Sequence, residues 1–507
     1  MKKQYYISHR AGEKIRVAIM FQVASYWASI ESFYRECVAA DDISVRIYYV
    51  DDLAVEKVQM EGTTAFLEEN YLPYEVYSEE KLEQFHPHVA LYQPPYDVLY
   101  RNPPALSVHL KVKGIRIMYI PYGIELADTE DARLAHFHTY VVRNSWRIYT
   151  FSETMLEDYR KYCPNRHAVR ATGSPKFDGI YKNRLQMDEG IKRKAAGRRI
   201  VVWKIHFPKR IYDGIRQLQV TPDLSEYISF AKMLAGFEDL FFVVMPHPLF
   251  FSETLPQMLA QEAGQLFRYL EAVPNVVMDL SPDYRCSLYH ADAIIADRSA
   301  LMVEAGLCGV PVLYMENRDY REPLTAAVRC IADTYVHGVT AADMAAFLEK
   351  FRKGALQDCV DRQRAAVRES VPFLDGLCGR RILEDVRQGI QEEGDYRIRV
   401  VFFGAGSVCA HYIKELGICN HAGYEMLGIS DNDPDKWGET YAGMRIIPPE
   451  RLKALDFDYL VITTEQYHMP IKQKLVYELF LDEEKILRLD VFSEMYVRGE
   501  CSDYQKL

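Results

Sequence analysis

The sequence predicts an α/β chain: two doubly wound, Rossmann-like units in tandem, then a smaller Rossmann-like unit. Three observations carry this. From Lys14 onward, apolar runs of about four to six residues alternate with amphipathic stretches, the signature of a parallel sheet covered on both faces. The alternation pauses in a basic stretch and restarts at RRIVVWKIHF. A third run, RIRVVFFGAGSVCAHYIKELG, sets strand, Gly turn and helix in order. The 507 residues suit three domains at roughly 150 residues apiece, expected at 1–180, 181–393 and 394–507.

In the first unit KIRVAIMFQ reads as a strand, SYWASIESFYRECVAA as a helix and VRIYYVDD as the next strand. HVALYQPP, IRIMYIPYG and WRIYTFS follow as strands. The second unit offers IVVWKI, LFFVVMPH, NVVMDL, AIIADR and VPVLYM as strands. Its helices include SEYISFAKMLAGF and SALMVEAGLCG, and it closes in charged, helical sequence from about Ala341 to Glu393. Two such units in tandem put a ligand cleft between their strand C-terminal ends.

Composition removes several function classes. Sixty-one Lys and Arg against 72 Asp and Glu give a net charge of -11, which argues against a nucleic-acid protein that relies on bulk positive charge. Hydrophobic residues at 49% and charged residues at 26% are an ordinary globular balance. No apolar stretch reaches the roughly 18 residues of a membrane span, and MKKQYYISHRAGEK lacks the apolar core of a signal peptide. A cytoplasmic protein is expected. The ten cysteines include no CxxC pair and read as reduced thiols. Cys286 and His290, four apart, share a helix face but lack a second ligand pair, so no metal is expected.

Two segments carry chemistry. In ADAIIADRSALMVEAGLCGVPVLYM a strand ends at Asp297-Arg298-Ser299 and a helix follows, leaving backbone N–H groups for an anion beside Ser299. Glu304 is expected near the same rim, where it can accept hydroxyls; the plainer reading is an N-cap over a buried helix. In VVMPHPLF, Pro246 and Pro248 end a strand and hold His247 at its rim. An imidazole there can donate to phosphate or act as an acid, or serve structure alone.

With TGSPKFD (Thr172–Asp178), these segments resemble the CDP-glycerol glycerophosphotransferase family, the teichoic-acid primases and polymerases of GT-B fold. The matching stretches are Met245–Pro248, Asp297–Ala300, Glu304 and Gly309–Pro311, within residues 14 to 370. The resemblance implies a GT-B arrangement of the first two units. It further implies transfer of an alditol phosphate from a CDP-activated donor to an acceptor hydroxyl, in synthesis of a cell-surface polymer. His247 would contact donor phosphate, with Asp297, Arg298, Ser299 and Glu304 as donor-binding residues. The acceptor would be a polymer or lipid-linked, with peripheral contact at the inner face of the membrane.

One departure matters. The family's W-H-G motif, whose His is the proposed base, is here Pro121-Tyr122-Gly123. Tyrosine titrates near 10 and is a poor base at neutral pH. Asp97, in YQPPYD, is the first expected substitute, with Glu125 and His109 next. Gln93, Tyr96, Gly123 and Glu125 are expected to line the acceptor side. The basic stretch Lys182–Arg210, with ten Lys or Arg, reads as a solvated interdomain helix or as a surface for anionic lipid or polymer.

The third unit resembles small Rossmann-like modules attached to sugar-modifying and polysaccharide-assembly proteins. Its GAGSVC offers Gly404 and Gly406 in a G-x-G turn, with Cys409 in place of a third Gly. Asp431 ends the second strand, placed to bind ribose hydroxyls. A nucleotide ligand and a purely structural or docking role both stay open. For the whole chain two alternatives stand beside the lead: a GT-B glycosyltransferase using a nucleotide sugar, and a decayed enzyme that binds nucleotide or scaffolds an assembly.

Overall fold

The run LFFVVMP shows why the chain folds as layers: all seven residues are buried, so neither face of that strand meets water. The computed structural model describes residues 6–7, 9–10, 12–51, 62–97, 101–181, 185–212, 217–252, 255–392, 398–420 and 424–493. Lys182 and Arg184 of the basic stretch lie outside these residues, as do 394–397 at the expected start of the third unit.

The first unit holds β1 (Ile15–Phe21), β2 (Ile43–Tyr49), β3 (Tyr74–Val76), β4 (Val89–Tyr92), β5 (Arg116–Tyr119), β6 (Arg147–Thr150) and β7 (Val169–Ala171). They form one parallel sheet in the order β3-β2-β1-β4-β5-β6-β7. β8 (Arg199–Ile205) opens the second unit, and a short antiparallel hairpin follows, β9 (Arg210–Tyr212) and β10 (Gln217–Gln219). β11 (Leu240–Pro246), β12 (Val276–Met278), β13 (Ala293–Ala296), β14 (Val312–Met315) and β15 (Val336–Gly338) complete it. That sheet is parallel in the order β12-β11-β8-β13-β14-β15. Chain order reverses between β8 and β13, which makes their C-terminal ends the switch point where ligands bind in such sheets.

The third unit holds β16 (Ile398–Phe403), β17 (Tyr424–Ser430), β18 (Thr440–Tyr441), β19 (Met444–Ile447), β20 (Tyr459–Ile462) and β21 (Ile486–Arg488). Their order is β18-β19-β17-β16-β20-β21, with only the β18–β19 pair antiparallel. This unit rests on the first: the Tyr459 hydroxyl donates to Asn144 Oδ1 at 3.4 Å.

Local chemistry sets the helix ends. Thr340 and Asp343 form a capping box that starts helix Ala341–Arg352. Asp178 accepts from the Cys378 and Gly379 amides, both at 3.0 Å, and so caps helix Cys378–Glu392. That last helix does not trail on the second unit. It crosses back over the first, where its Ile382, Leu383 and Val386 share a core with Phe33 and Trp146. Gly379 permits the approach, because a Cβ there would lie 2.5 Å from the Phe33 nitrogen.

Candidate functional site

A cleft of about 980 Å³ opens between the first two units. Its second-unit wall is built on the switch point. β8 ends at Lys204 and Ile205 and leads into His206; β11 leads into His247; β13 runs out into Asp297, Arg298 and Ser299. Lys204, His206, Lys209, His247, Arg298 and Ser299 all line the cleft. Burial draws the Lys204 ammonium down to about 8 and holds the His206 ring down at about 3. Below pH 8 Lys204 is charged, and it shares this wall with Lys209, Arg210 and Arg298, while burial keeps the His206 and His247 rings neutral.

His247 stands where its flanking prolines place it. Its Nδ1 accepts from the Leu249 amide at 3.1 Å, which leaves the ring proton on Nε2 as a donor. Burial, with His206 and Lys204 nearby, holds the ring well below its ordinary pKa. Arg298 donates from Nε to Glu322 Oε2 at 2.6 Å. Ser299 Oγ accepts from the Leu301 amide at 3.2 Å, but the helix begins only at Leu301, with Ala300 rather than Ser299 at its N-cap.

Two expected donor ligands lie elsewhere. Asp297 is fully buried under the rim, accepting from the His206 amide at 2.9 Å and the Tyr227 hydroxyl at 2.8 Å. Burial lifts its carboxyl to about 7. It shapes the His206 turn rather than meeting a ligand. Glu304 is likewise fully buried, because Lys176 of the first unit and Tyr284 of the second cover it. Tyr284 donates to Glu304 Oε1 at 2.8 Å, and Lys176 Nζ lies 3.5 Å from Oε2. Lys176 and Tyr284, which line the cleft, therefore occupy the place expected for ligand hydroxyls.

The first-unit wall is aromatic. Tyr122 stacks on Tyr26 with centroids 4.1 Å apart, and Tyr96 and Tyr119 line the same wall. Gly123 comes close to the second unit, its virtual Cβ 3.4 Å from Ala300 Cβ. Glu125 lines the cleft with its carboxylate nearly out of water, accepting from the Tyr159 hydroxyl at 2.5 Å. Burial lifts its carboxyl to about 7, while the Tyr159 bond pulls the other way.

Asp97, the first expected base, fails on geometry. One oxygen receives Arg101 Nη1 at 3.1 Å and the other receives the Ser107 amide at 2.8 Å and the Ser107 hydroxyl. It is a buried cap with no face toward the cleft. Gln93 is also buried, donating to the Tyr26 carbonyl at 2.7 Å and Ser29 Oγ at 2.9 Å, so it holds the tyrosine wall from behind. His109 belongs to helix Ser107–Val112, away from the lining residues.

The two walls are joined beside Glu125. Asp128 donates its amide to the Pro323 carbonyl at 2.8 Å, and Thr325 donates its amide to the Leu126 carbonyl at 2.9 Å. The Thr325 hydroxyl adds a bond to the Glu125 carbonyl at 2.8 Å. Sequence reading missed Lys204, Lys209, Arg210 and Glu322. The first three belong to the basic stretch read as a solvated helix or a lipid surface. Helix Glu189–Ala195 does expose Lys192, Arg193 and Lys194, but the rest is strand, hairpin and cleft wall. The signal was present in Lys204 and His206 at the end of an apolar strand.

In the third unit Gly404 has φ 109°, and its amide donates to the Ser430 carbonyl at 2.7 Å. Gly406 starts helix Ser407–Ala410. Asp431 does not offer a free carboxylate to a ribose: Oδ2 accepts from the Ala405 amide at 2.8 Å and from Lys436 Nζ at 3.1 Å. The Ala405 amide of the G-x-G turn is thus already paired. His290 Nδ1 lies 2.7 Å from the Cys286 carbonyl, so backbone supplies its partner.

A family model described as C2185-like, N-terminal matches residues 396–487, the third unit. No curated protein matches the chain. Among solved structures, S. aureus MnaA with UDP is similar at 12% identity over 74% of this chain and 97% of that one, with a TM-score of 0.52. UDP-GlcNAc 2-epimerase from Neisseria meningitidis bound to UDP-GlcNAc is similar at 13% identity over 74% and 100%, with a TM-score of 0.51. The wall teichoic acid polymerase TagF reaches 12% identity over 75% and 90% at a TM-score of 0.49, and at that score decides nothing about activity. These likenesses show the fold: two Rossmann-like units in GT-B arrangement, with a further Rossmann-like unit.

Proposed function

We propose that this chain is a GT-B transferase that moves glycerol phosphate, or a similar alditol phosphate, from a CDP-activated donor to an acceptor hydroxyl. The observation that carries the reading is the pairing across one cleft of a cationic wall with a carboxyl that titrates near neutral pH. The donor diphosphate lies against Lys204, Lys209 and Arg298, with His247 Nε2–H as a neutral donor. The acceptor hydroxyl enters between Tyr122 and Glu125. Glu125, ionised in about half the molecules at pH 7, takes the hydroxyl proton as the oxygen attacks the β-phosphorus. The new P–O bond forms, the bond from phosphorus to the bridging oxygen breaks, and CMP leaves with its charge offset by the lysines and Arg298. Positioning and charge neutralisation supply most of the acceleration.

The acceptor in this reading is a growing cell-surface polymer or its lipid-linked primer. The exposed face of helix Glu189–Ala195, with Lys192, Arg193 and Lys194, supplies a basic surface for the inner face of the membrane. No helix among the described residues is long and apolar enough to cross a membrane. The division of labour follows the units 1–180, 181–393 and 394–507: acceptor side, donor side and a docking module. The same cleft also suits a nucleotide sugar, a reading favoured by the fold shared with proteins solved with UDP and UDP-GlcNAc.

The test is a thermal-shift titration against CDP-glycerol, CDP-ribitol, UDP-GlcNAc and GDP-sugars, followed by CMP release with each acceptor. A ligand at 100 times its Kd stabilises by about 2.7 kcal/mol, which is readily seen. Selective stabilisation by a CDP-alditol supports the transferase; stabilisation by UDP- or GDP-sugars alone replaces it with glycosyl chemistry.

A further inference from the structure

Residues Glu322 to Thr325 touch both walls of the cleft. At one end Glu322, its side chain 1% exposed, accepts from Arg298 Nε at 2.6 Å. At the other end Thr325 donates from its hydroxyl to the Glu125 carbonyl and from its amide to the Leu126 carbonyl. Between them the Pro323 carbonyl accepts from the Asp128 amide, and Ala127 and Leu324 form an antiparallel bridge. Four consecutive residues thus join a guanidinium of the cationic wall to the backbone that carries Glu125. No helix or strand covers residues 121–126; side-chain packing of Ile124 and Leu126 in the core, the Tyr159–Glu125 bond and this segment's backbone bonds hold them.

The two ends differ in what a ligand does to them. An anion arriving at Arg298 shares a guanidinium whose Nε is held by Glu322, and so weakens the hold on that carboxylate. Pro323, with its fixed φ, stiffens the short backbone between Glu322 and Thr325. The strap's three hydrogen bonds to residues 125–128 are few enough to open and close locally. A ligand shifts such an element only by interacting differently with its two states, which the Glu322–Arg298 pair provides.

We propose that the segment Glu322–Thr325 is a positioning strap for the transfer reaction: occupancy of the anion site at Arg298 is relayed along it to Glu125, and Thr325 is the positioning residue that sets Glu125 in the cleft. The role of Glu125 rests on the transferase reading above; the relay rests on the strap's own bonds.

The test is amide hydrogen exchange on the full chain with and without CDP, with UDP as a second probe, in the wild type, Thr325→Val and Thr325→Ser. Donor turnover is measured beside it. In the wild type, bound CDP changes exchange at the Asp128 and Thr325 amides about fivefold or more. Thr325→Val keeps the amide bond but loses the hydroxyl bond, lowering kcat about 2- to 10-fold with donor KM unchanged. Thr325→Ser restores kcat. CDP binding without any change at those two amides overturns the proposal, as does wild-type kcat in a folded Thr325→Val. If UDP binds and CDP does not, the donor reading fails while the relay is still decided with UDP. If both bind without turnover, exchange alone decides; if neither binds, both ideas fall.

Discussion

The Glu125–Tyr159 pair gives the sharpest test of the chemistry. The carboxyl is nearly out of water and titrates near 7, and the Tyr159 hydroxyl donates to it at 2.5 Å. Tyr159→Phe removes one hydrogen bond to the charged form and nothing else of size. Such a bond is worth about 1.5–3 kcal/mol. At 1.36 kcal/mol per pKa unit, the variant's carboxyl should titrate about one to two units higher, near 8–9. A base must be ionised to accept a proton. Wild-type kcat/KM should therefore rise with pH through about 7, and in Tyr159→Phe the same limb should move to about 8–9. At pH 7 the variant should be about 5- to 50-fold slower, and it should recover at pH 9 or above. The assay is CMP release at limiting donor across pH 5.5–10. A limb that stays in place, or a loss at pH 7 that alkaline pH does not restore, refutes Glu125 as the base.

Stability supplies an independent sign. The Glu125 carboxyl is raised in the folded chain above its ordinary 4.5, so the native state holds a proton that the unfolded state releases. Its contribution is fully present below pH 4.5 and is lost as pH rises to about 7, a difference of about 3 kcal/mol. Glu125→Gln should abolish turnover yet be more stable than the wild type above pH 7, read as a higher Tm at pH 8. A destabilised, active Gln variant contradicts both assignments.

Other outcomes follow from the same site. His247→Ala should cut kcat about 10²-fold, measured as initial CMP release at saturating donor, since it removes a neutral donor to developing charge. Asp97→Ala should act on stability, costing about 3–5 kcal/mol in urea unfolding by leaving the Arg101 charge buried, with no pH limb altered in the folded fraction. Lys204 titrates at about 8 and is charged below it. CDP affinity by calorimetry should fall as pH rises through 8, and Lys204→Met should abolish that dependence.

Particular residues show how far the sequence was legible. His247 stands just past the strand because its flanking prolines fix where the strand stops, a local constraint. β11, β13 and β14 were legible because strands buried on both faces are written as unbroken apolar runs. β3, β7 and β15, three residues each, carry too little periodicity to announce themselves. Asp97 and Glu125 both stand a few residues past a strand, and the sequence puts Asp97 first as the base. Ser107, ten residues on, claims Asp97, while Tyr159, 34 residues on, leaves Glu125 facing the cleft. Glu304 was read on the rim, but Lys176, from 128 residues upstream, lies over it.

The sequence by itself determined the layered α/β units, their order and the strand ends at which a ligand would be held, because hydrophobic period and Pro or Gly punctuation act over a few residues. Only the tertiary structure decided which acids face the cleft, which are spent as caps, and which helix crosses back. Those outcomes depend on burial and on partners distant in the chain, and desolvation is a property of the assembled cleft rather than of any segment.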